Sequence, residues 1–147
     1  MKVQIKLFNQ LTTQELYDIL YLRNLVFVVE QNCVYLDTDL TDAKAHHISI
    51  YNNDNFLVAY CRIFDKGIKY ATTSIGRVVV HPNFRGLKLG HDLIKEAINA
   101  IKTLYGCSEI TISAQAHLQN FYKHHGFLTV SDLYLEDDIP HVEMLRK

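Results

Sequence analysis

Residues 78–94 read VVVHPNFRGLKLGHDLI, and the reading of the whole fold turns on this stretch. Three consecutive valines favour a strand, because β-branched side chains suit a pleated surface. His81 and Pro82 end it, since proline has no amide hydrogen to give to a ladder. Arg85, Gly86, Leu87, Lys88, Leu89 and Gly90 follow, and an apolar helical pattern begins at once. A chain that leaves a strand and enters a helix within a few residues exposes backbone N–H groups with no intrahelical partner. The helix dipole adds partial positive charge at that end. Gly86 and Gly90 allow close approach to the backbone, and Arg85 and Lys88 bring formal charge. Such a turn suits a phosphate or pyrophosphate. Its spacing is neither the Walker pattern nor the dinucleotide fingerprint. An ordinary glycine-containing turn with two surface charges has the same composition. The place of this one, after VVVHP and before the clearest helix in the chain, favours the anion site.

That helix is GHDLIKEAINAIKTLYG, residues 90–106. Leu93, Ile94, Ala97, Ile98, Ile101 and Leu104 recur on one face, and Gly106 supplies a terminator. SEITISA then reads as a strand, so strand, turn, helix and strand make a βαβ unit with a parallel pair. Upstream, KVQIKLF alternates as a strand. Thr12 and Glu15 have capping-box spacing for a first helix that finishes near Val28–Gln31. YLDTDLTDAKA reads as a solvated acidic loop or a short helix. AHHISIYNNDNFLVAYCRIF gives two strands joined at Asn52–Asn55, where Asn and Asp tolerate the turn. Downstream, LQNFYKHHG is a short helix, and FLTVSDLYL and HVEMLRK are closing strands. The class is α/β of the α+β kind, a mostly antiparallel sheet containing one βαβ unit.

The chain has 147 residues, which suits one domain spanning 1–147. A formal net charge of −1 lacks the basic field that nucleic-acid binding needs. No apolar run is long enough to cross a bilayer. Cys33, Cys61 and Cys107 are scattered and odd in number, without metal spacing, and read as reduced thiols of a cytoplasmic protein. His46 and His47 are strand neighbours that point to opposite faces, so they cannot chelate together. No metal is expected. Arg23 falls among apolar residues on the first helix, where a charge needs a partner such as Glu30, Asp37 or an anionic part of a substrate.

RVVVHPNFRGLKLG, residues 77–90, resembles the acetyl-CoA-binding segment of the GNAT superfamily of N-acetyltransferases, with Lys88 where that pattern usually has Gly. LRNLVFVVEQNCVYLDTD, AQAHLQNFY and EDDIPHVEM resemble signatures of its ElaA-like branch. The resemblance implies a six- to seven-stranded mixed sheet with helices on both faces, strands four and five being parallel and splayed. It implies that backbone amides of Arg85, Gly86, Leu87, Lys88, Leu89 and Gly90 hold the CoA pyrophosphate, and that the Val78, Val79 and Val80 strand pairs with the pantetheine arm. A backbone N–H of Val78 or Val80 would polarise the thioester carbonyl. It implies Tyr122 as general acid to the leaving thiolate and Asn120 as a polar contact to the pantetheine. The carboxylate that many members carry on the fourth strand is missing from Ser74–Arg77. Glu30 is the first substitute as general base, followed by His117 and His141, whose imidazoles suit proton transfer near neutrality. The expected activity is direct transfer of acetyl from acetyl-CoA to a primary amine of a small molecule or protein, by a monomer or homodimer. The alternatives are a non-catalytic acyl-CoA-binding or sensing module on the same fold and a nucleotide-phosphate binder.

Overall fold

The structure, a computed structural model, describes all residues from Met1 to Lys147. Strand β1 (Lys2–Leu7) leads to helix α1 (Thr13–Arg23). The capping box forms as its spacing requires: Thr12 Oγ1 accepts from Glu15 N at 3.1 Å, and Glu15 accepts from Thr12 N at 2.8 Å. The helix continues over Asn24–Glu30 as a π-helix. Gln31 N donates to Val26 O at 3.0 Å, five residues back, and Cys33 N donates to Val28 O at 3.0 Å. Long π-helices are rare, and this wider turn gathers the β-branched residues Val26, Val28 and Val29.

Strands β2 (His46–Tyr51), β3 (Leu57–Phe64) and β4 (Thr73–Val80) follow, then α2 (Leu89–Tyr105), β5 (Ile110–Gln115) and α3 (Gln119–Lys123). The chain closes with β6 (Leu128–Thr129), β7 (Tyr134–Glu136) and β8 (Ile139–Arg146). The strand order is β1-β2-β3-β4-β5-β8-β6, with β7 also on β8. Every pairing is antiparallel except β4–β5. The sheet has eight strands, where seven were the most expected, because FLTVSDLYL divides. Ser131 Oγ accepts from Glu143 N at 2.8 Å and interrupts the ladder there. Asp137 and Asp138, with φ of 50° and 63°, then form a hairpin turn that folds β7 onto β8.

Helix α2 covers one face of the sheet. Leu93, Ile94, Ala97 and Ile101 are fully buried there with Ile48, Ile63 and Ile112. Leu104, expected on the same stripe, is 47% exposed, and Tyr105 takes the place against the sheet in the last turn. On the other face, Ile19, Leu22 and Val26 pack on Tyr51, Tyr60 and Val79.

The acidic segment 37–42 is not solvated, contrary to its composition. Arg23 is 0% exposed and ion-pairs through Nε with Asp37 at 2.7 Å and through Nη1 with Asp42 at 2.8 Å. Arg62 Nη1 reaches the same Asp42 oxygen at 2.8 Å, and its Nη2 pairs with Asp39. Arg77 Nε pairs with the second Asp37 oxygen at 2.9 Å. The alternation of aspartates is therefore matched by guanidiniums from α1, β3 and β4. His47 completes the cluster, with Nε2 donating to Asp42 O at 2.8 Å and Nδ1 accepting from the Tyr60 hydroxyl at 2.7 Å. His46 turns to the opposite face and bonds Tyr105 on α2 at 2.6 Å. Burial raises the Asp42 pKa, but Arg23 and Arg62 outweigh it and hold the carboxyl below its ordinary value. Asp42→Ala removes the carboxylate that Arg23 and Arg62 share, leaving Arg23 with Asp37 and Arg62 with Asp39, and removing one partner from a buried pair costs about 3–5 kcal/mol. An unfolding free energy, from urea titration at neutral pH, lowered by that amount is the expected result.

Candidate active site

Strands β4 and β5 pair at only two positions, Thr73 with Ile110 and Ser74 with Thr111. Three residues after Ser74, Arg77 takes a left-handed backbone conformation, φ 52°. The β3–β4 register shifts between Tyr60 and Arg62, so Arg77 and Val78 together face Cys61. A bulge of this kind bends the strand that carries it. Beyond it β4 leaves β5, and the sheet opens. His81 N donates to Val58 O at 2.8 Å. Ladder alternation then turns the amide groups of Val80 and Val78 away from β3 and into the gap.

Two lobes meet in this gap. One lies toward α2 and is lined by Val78, Val79, Val80, Arg85, Gly86 and Lys88, with Leu89 and Gly90 behind them. The other lies toward the segment after α1 and is lined by Tyr35, Arg77, Ser113, Glu136 and His141. Phe27, Gln31, Val78, Gln115, Leu118 and Tyr122 line both lobes, so the groove passes through the split sheet.

In the first lobe the turn has the geometry its sequence implied. Gly86 has φ 83°, and Lys88, at φ 61°, occupies the N-cap of α2 with no side chain capping it. The left-handed conformation at Lys88 explains why glycine is usual there, since a non-glycine residue pays about 1–2 kcal/mol for it. Gly90 serves a different purpose from Gly86. A Cβ there would lie 3.3 Å from Phe121 Cζ, so its bareness admits the Phe121 ring of α3. Arg85 forms a two-pronged ion pair with Glu30 across the mouth, at 2.6 and 3.0 Å. The Arg85 hydrogen bonds hold the Glu30 carboxyl below its ordinary pKa. The Leu87 side chain is 58% exposed and lies outside the lobe.

Tyr122 stands where the lobes join, 7% exposed and packed edge-on to Phe121 and Phe127. Burial raises its phenol above the ordinary value, with no hydrogen bond to offset it. Asn120 does not join it. Two residues along a helix are about 200° apart, so Asn120 points to solvent where Tyr122 points inward. Asn120 is not among the residues that line either lobe. His117 is exposed at the rim of the first lobe, apart from the second.

The second lobe holds a pair that local sequence did not join. His141 Nδ1 donates to Ile139 O at 2.7 Å, which leaves Nε2 facing Glu136 Oε2 at 3.3 Å. The His141 side chain is 9% exposed. In the neutral ring both atoms are acceptors, so the pair needs a donor between them. Glu136 was missed because only the β7–β8 hairpin brings it beside His141. Ser113 Oγ and Tyr134 hydroxyl, 2.5 Å apart, complete that wall. No group of His, Cys, Asp or Glu side chains has the convergence a metal ion needs.

The chain that carries this split sheet and basic turn belongs to the GNAT acetyltransferase family. The family profile described as an acetyltransferase (GNAT) domain matches residues 24–147. Within the family the chain is ElaA-like. It is 41% identical to the protein ElaA of Escherichia coli over 141 residues, 95% of this chain and 92% of that protein. The crystal structure of E. coli ElaA superposes with a TM-score of 0.92, covering 100% of both chains. An acyl-CoA N-acyltransferase from Pseudomonas aeruginosa superposes at 0.93 with 41% identity, also over 100% of both chains. An aminoglycoside 6'-N-acetyltransferase complexed with coenzyme A shares the fold, at a TM-score of 0.73 and 14% identity over 97% of this chain and 96% of that one.

Behind the turn, His91 Nδ1 lies 2.8 Å from His125 Nε2 and joins α2 to α3. Burial first, and then the charges of His91, His124, Lys95 and Arg146, bring the His125 pKa down from 6.5 to about 4. A histidine with a lowered folded pKa stabilises the fold in its neutral form. That contribution is whole above the unfolded value and is lost as pH falls from 6.5 toward 4. His46, His47 and His81 are lowered in the same direction. Unfolding midpoints measured across this window should fall with pH, and His125→Gln should flatten the slope.

Proposed function

We infer that the chain is an acetyl-CoA-dependent N-acetyltransferase that moves the acetyl group directly to a primary amine. The observation that carries this reading is the groove through the sheet, which joins an anion-binding turn to a lobe holding an acid–base pair. Free amides at the start of α2, with Arg85 and Lys88, suit a diphosphate. The amide and carbonyl groups of Val78 and Val80 suit a pantetheine arm, which would take the place of the missing strand partner. The neighbour of the same fold that is complexed with coenzyme A supports this choice of donor.

In this reading the acyl carbon comes to rest beside Val78, whose N–H polarises the carbonyl oxygen. His141 is the general base. The acceptor ammonium supplies the donor that His141 Nε2 and Glu136 lack, and His141 takes its proton. The amine nitrogen attacks the carbonyl carbon and a C–N bond forms. The C–S bond then breaks, and Tyr122 gives its hydroxyl proton to the departing thiolate. The new amide nitrogen loses its remaining extra proton and His141 releases the one it took, both to solvent through the groove, and the tyrosine takes one proton back. Its raised pKa keeps it protonated at neutral pH, as a proton donor requires.

Glu30 has a different part from the one expected of it. An ion-paired carboxylate with a lowered pKa is a weak base, and Glu30 lies at the diphosphate end of the groove. It competes with phosphate for Arg85. His117 also lies at the cofactor end, which suits a contact with the coenzyme rather than proton transfer from the amine.

Tyr122→Phe and His141→Gln should each lower kcat by about 100-fold, with CoA affinity unchanged within about twofold. Release of free thiol from acetyl-CoA across a panel of amines reads the rate, and calorimetry reads the affinity. CoA binding by an unmodified protein that transfers acetyl to no amine would mark a sensing module instead. Arg85→Ala with Lys88→Ala should weaken CoA binding by about tenfold or more, whereas Glu30→Gln should strengthen it a few-fold by freeing Arg85.

A further inference from the structure

A side cavity opens off the acceptor lobe and has no part in the chemistry above. It shares Tyr35, Arg77, Ser113, Glu136 and Asp137 with that lobe. From there it runs past Gly76 and Ser74 to Arg62, Lys69 and Tyr70. Its far wall has more donors than acceptors. Ser74 Oγ and Arg62 Nε are buried without a hydrogen-bond partner, and both residues are 2% exposed. Lys69 Nζ uses one of its hydrogens on Asp39, at 3.1 Å, and rests over the Phe64 ring. The Tyr70 phenol is pushed up to about 12, chiefly by burial, and so remains a donor. Asp39, the carboxylate at this end, is already shared among Arg62, Lys69 and Arg77.

The near end has the opposite character. Glu136 has His141 as its ion-pair neighbour and no lysine or arginine. Unpartnered buried donors are costly, whereas Glu136, 52% exposed, is a solvated carboxylate open to a cation. A ligand positive at one end and negative at the other satisfies the buried donors and meets the open carboxylate.

We propose that the acceptor is an amino carboxylate, with its ammonium group between His141 and Glu136 and its carboxylate in the side cavity, accepting from Lys69, Ser74 and Tyr70. The position of the amine rests on the transferase reading; the carboxylate subsite rests on the cavity itself. Such an acceptor spans the shared wall of Tyr35, Arg77 and Ser113, so the number of carbons between its ends decides the fit.

Binding tests this without turnover. CoA-saturated protein is titrated calorimetrically with glycine, 4-aminobutyrate and 6-aminohexanoate, and with methylamine, propylamine and pentylamine, which lack only the carboxylate. At least one amino carboxylate should bind about tenfold tighter than its amine. In Lys69→Met and in Ser74→Ala that ratio should fall toward one. Amino carboxylates that bind no tighter than their amines, or that do not bind, overturn the proposal. So does a preference that survives both substitutions. A preference in binding with no acetyl transfer upholds the subsite and counts against the transferase reading instead.

Discussion

Thr73 and Ser74 pair with Ile110 and Thr111, and beyond them β4 and β5 share no hydrogen bonds. Everything functional in the molecule depends on this parting. Buried backbone groups are nearly always paired, and a strand that abandons its neighbour needs another partner. In this chain the amides of Val78 and Val80 are left facing a groove, with an anion-ready turn at one end and an ionisable pair at the other. The groove is thus the shape left when one strand bends away, and its chemistry is the chemistry of the exposed edge.

The bend is held from behind. Arg77 at the bulge has an unfavourable backbone conformation, and a non-glycine residue keeps such a geometry only where its surroundings impose it. Its guanidinium is gripped by Asp37 through both carboxylate and carbonyl, and Asp37 is gripped in turn by Arg23. Asp42 joins Arg23 to Arg62 in the same cluster. Buried ion pairs contribute little net stability compared with apolar packing. Their value here is directional. They fix the segment 35–42, which lines the second lobe through Tyr35, against α1, β3 and the bulge. An apolar core would hold those elements together without specifying the angle between them.

The sequence disclosed the elements whose signals are local. The Thr12–Glu15 cap, the α2 stripe from Leu93 to Ile101 and the turn from Arg85 to Gly90 all formed as their spacing required. Lys88, which stands where the resembling pattern usually has Gly, has a left-handed backbone at φ 61°. Errors arose where a residue's surroundings come from distant chain. Arg23 took Asp37, one of the partners expected of it, but Asp39 and Asp42 read as solvated because their guanidiniums are 19 to 23 residues away. Glu30 read as a free carboxylate because Arg85 is 55 residues away. Asn120 and Tyr122 are near neighbours in sequence, yet a short helix sends one to solvent and the other to the centre of the groove.

By itself, then, the sequence determined the order of strands and helices, the parallel crossover and the basic, bare turn at the start of α2, because hydrogen-bond periodicity and side-chain spacing act over a few residues. Only the tertiary structure decided which carboxylates are neutralised and which remain open. It bound Glu30 to Arg85 and buried Asp37 and Asp42, and it set Glu136 beside His141 at the far end of the groove. Charge interactions depend on distance in space and on what excludes water between the groups, and neither is written in the order of residues along a chain.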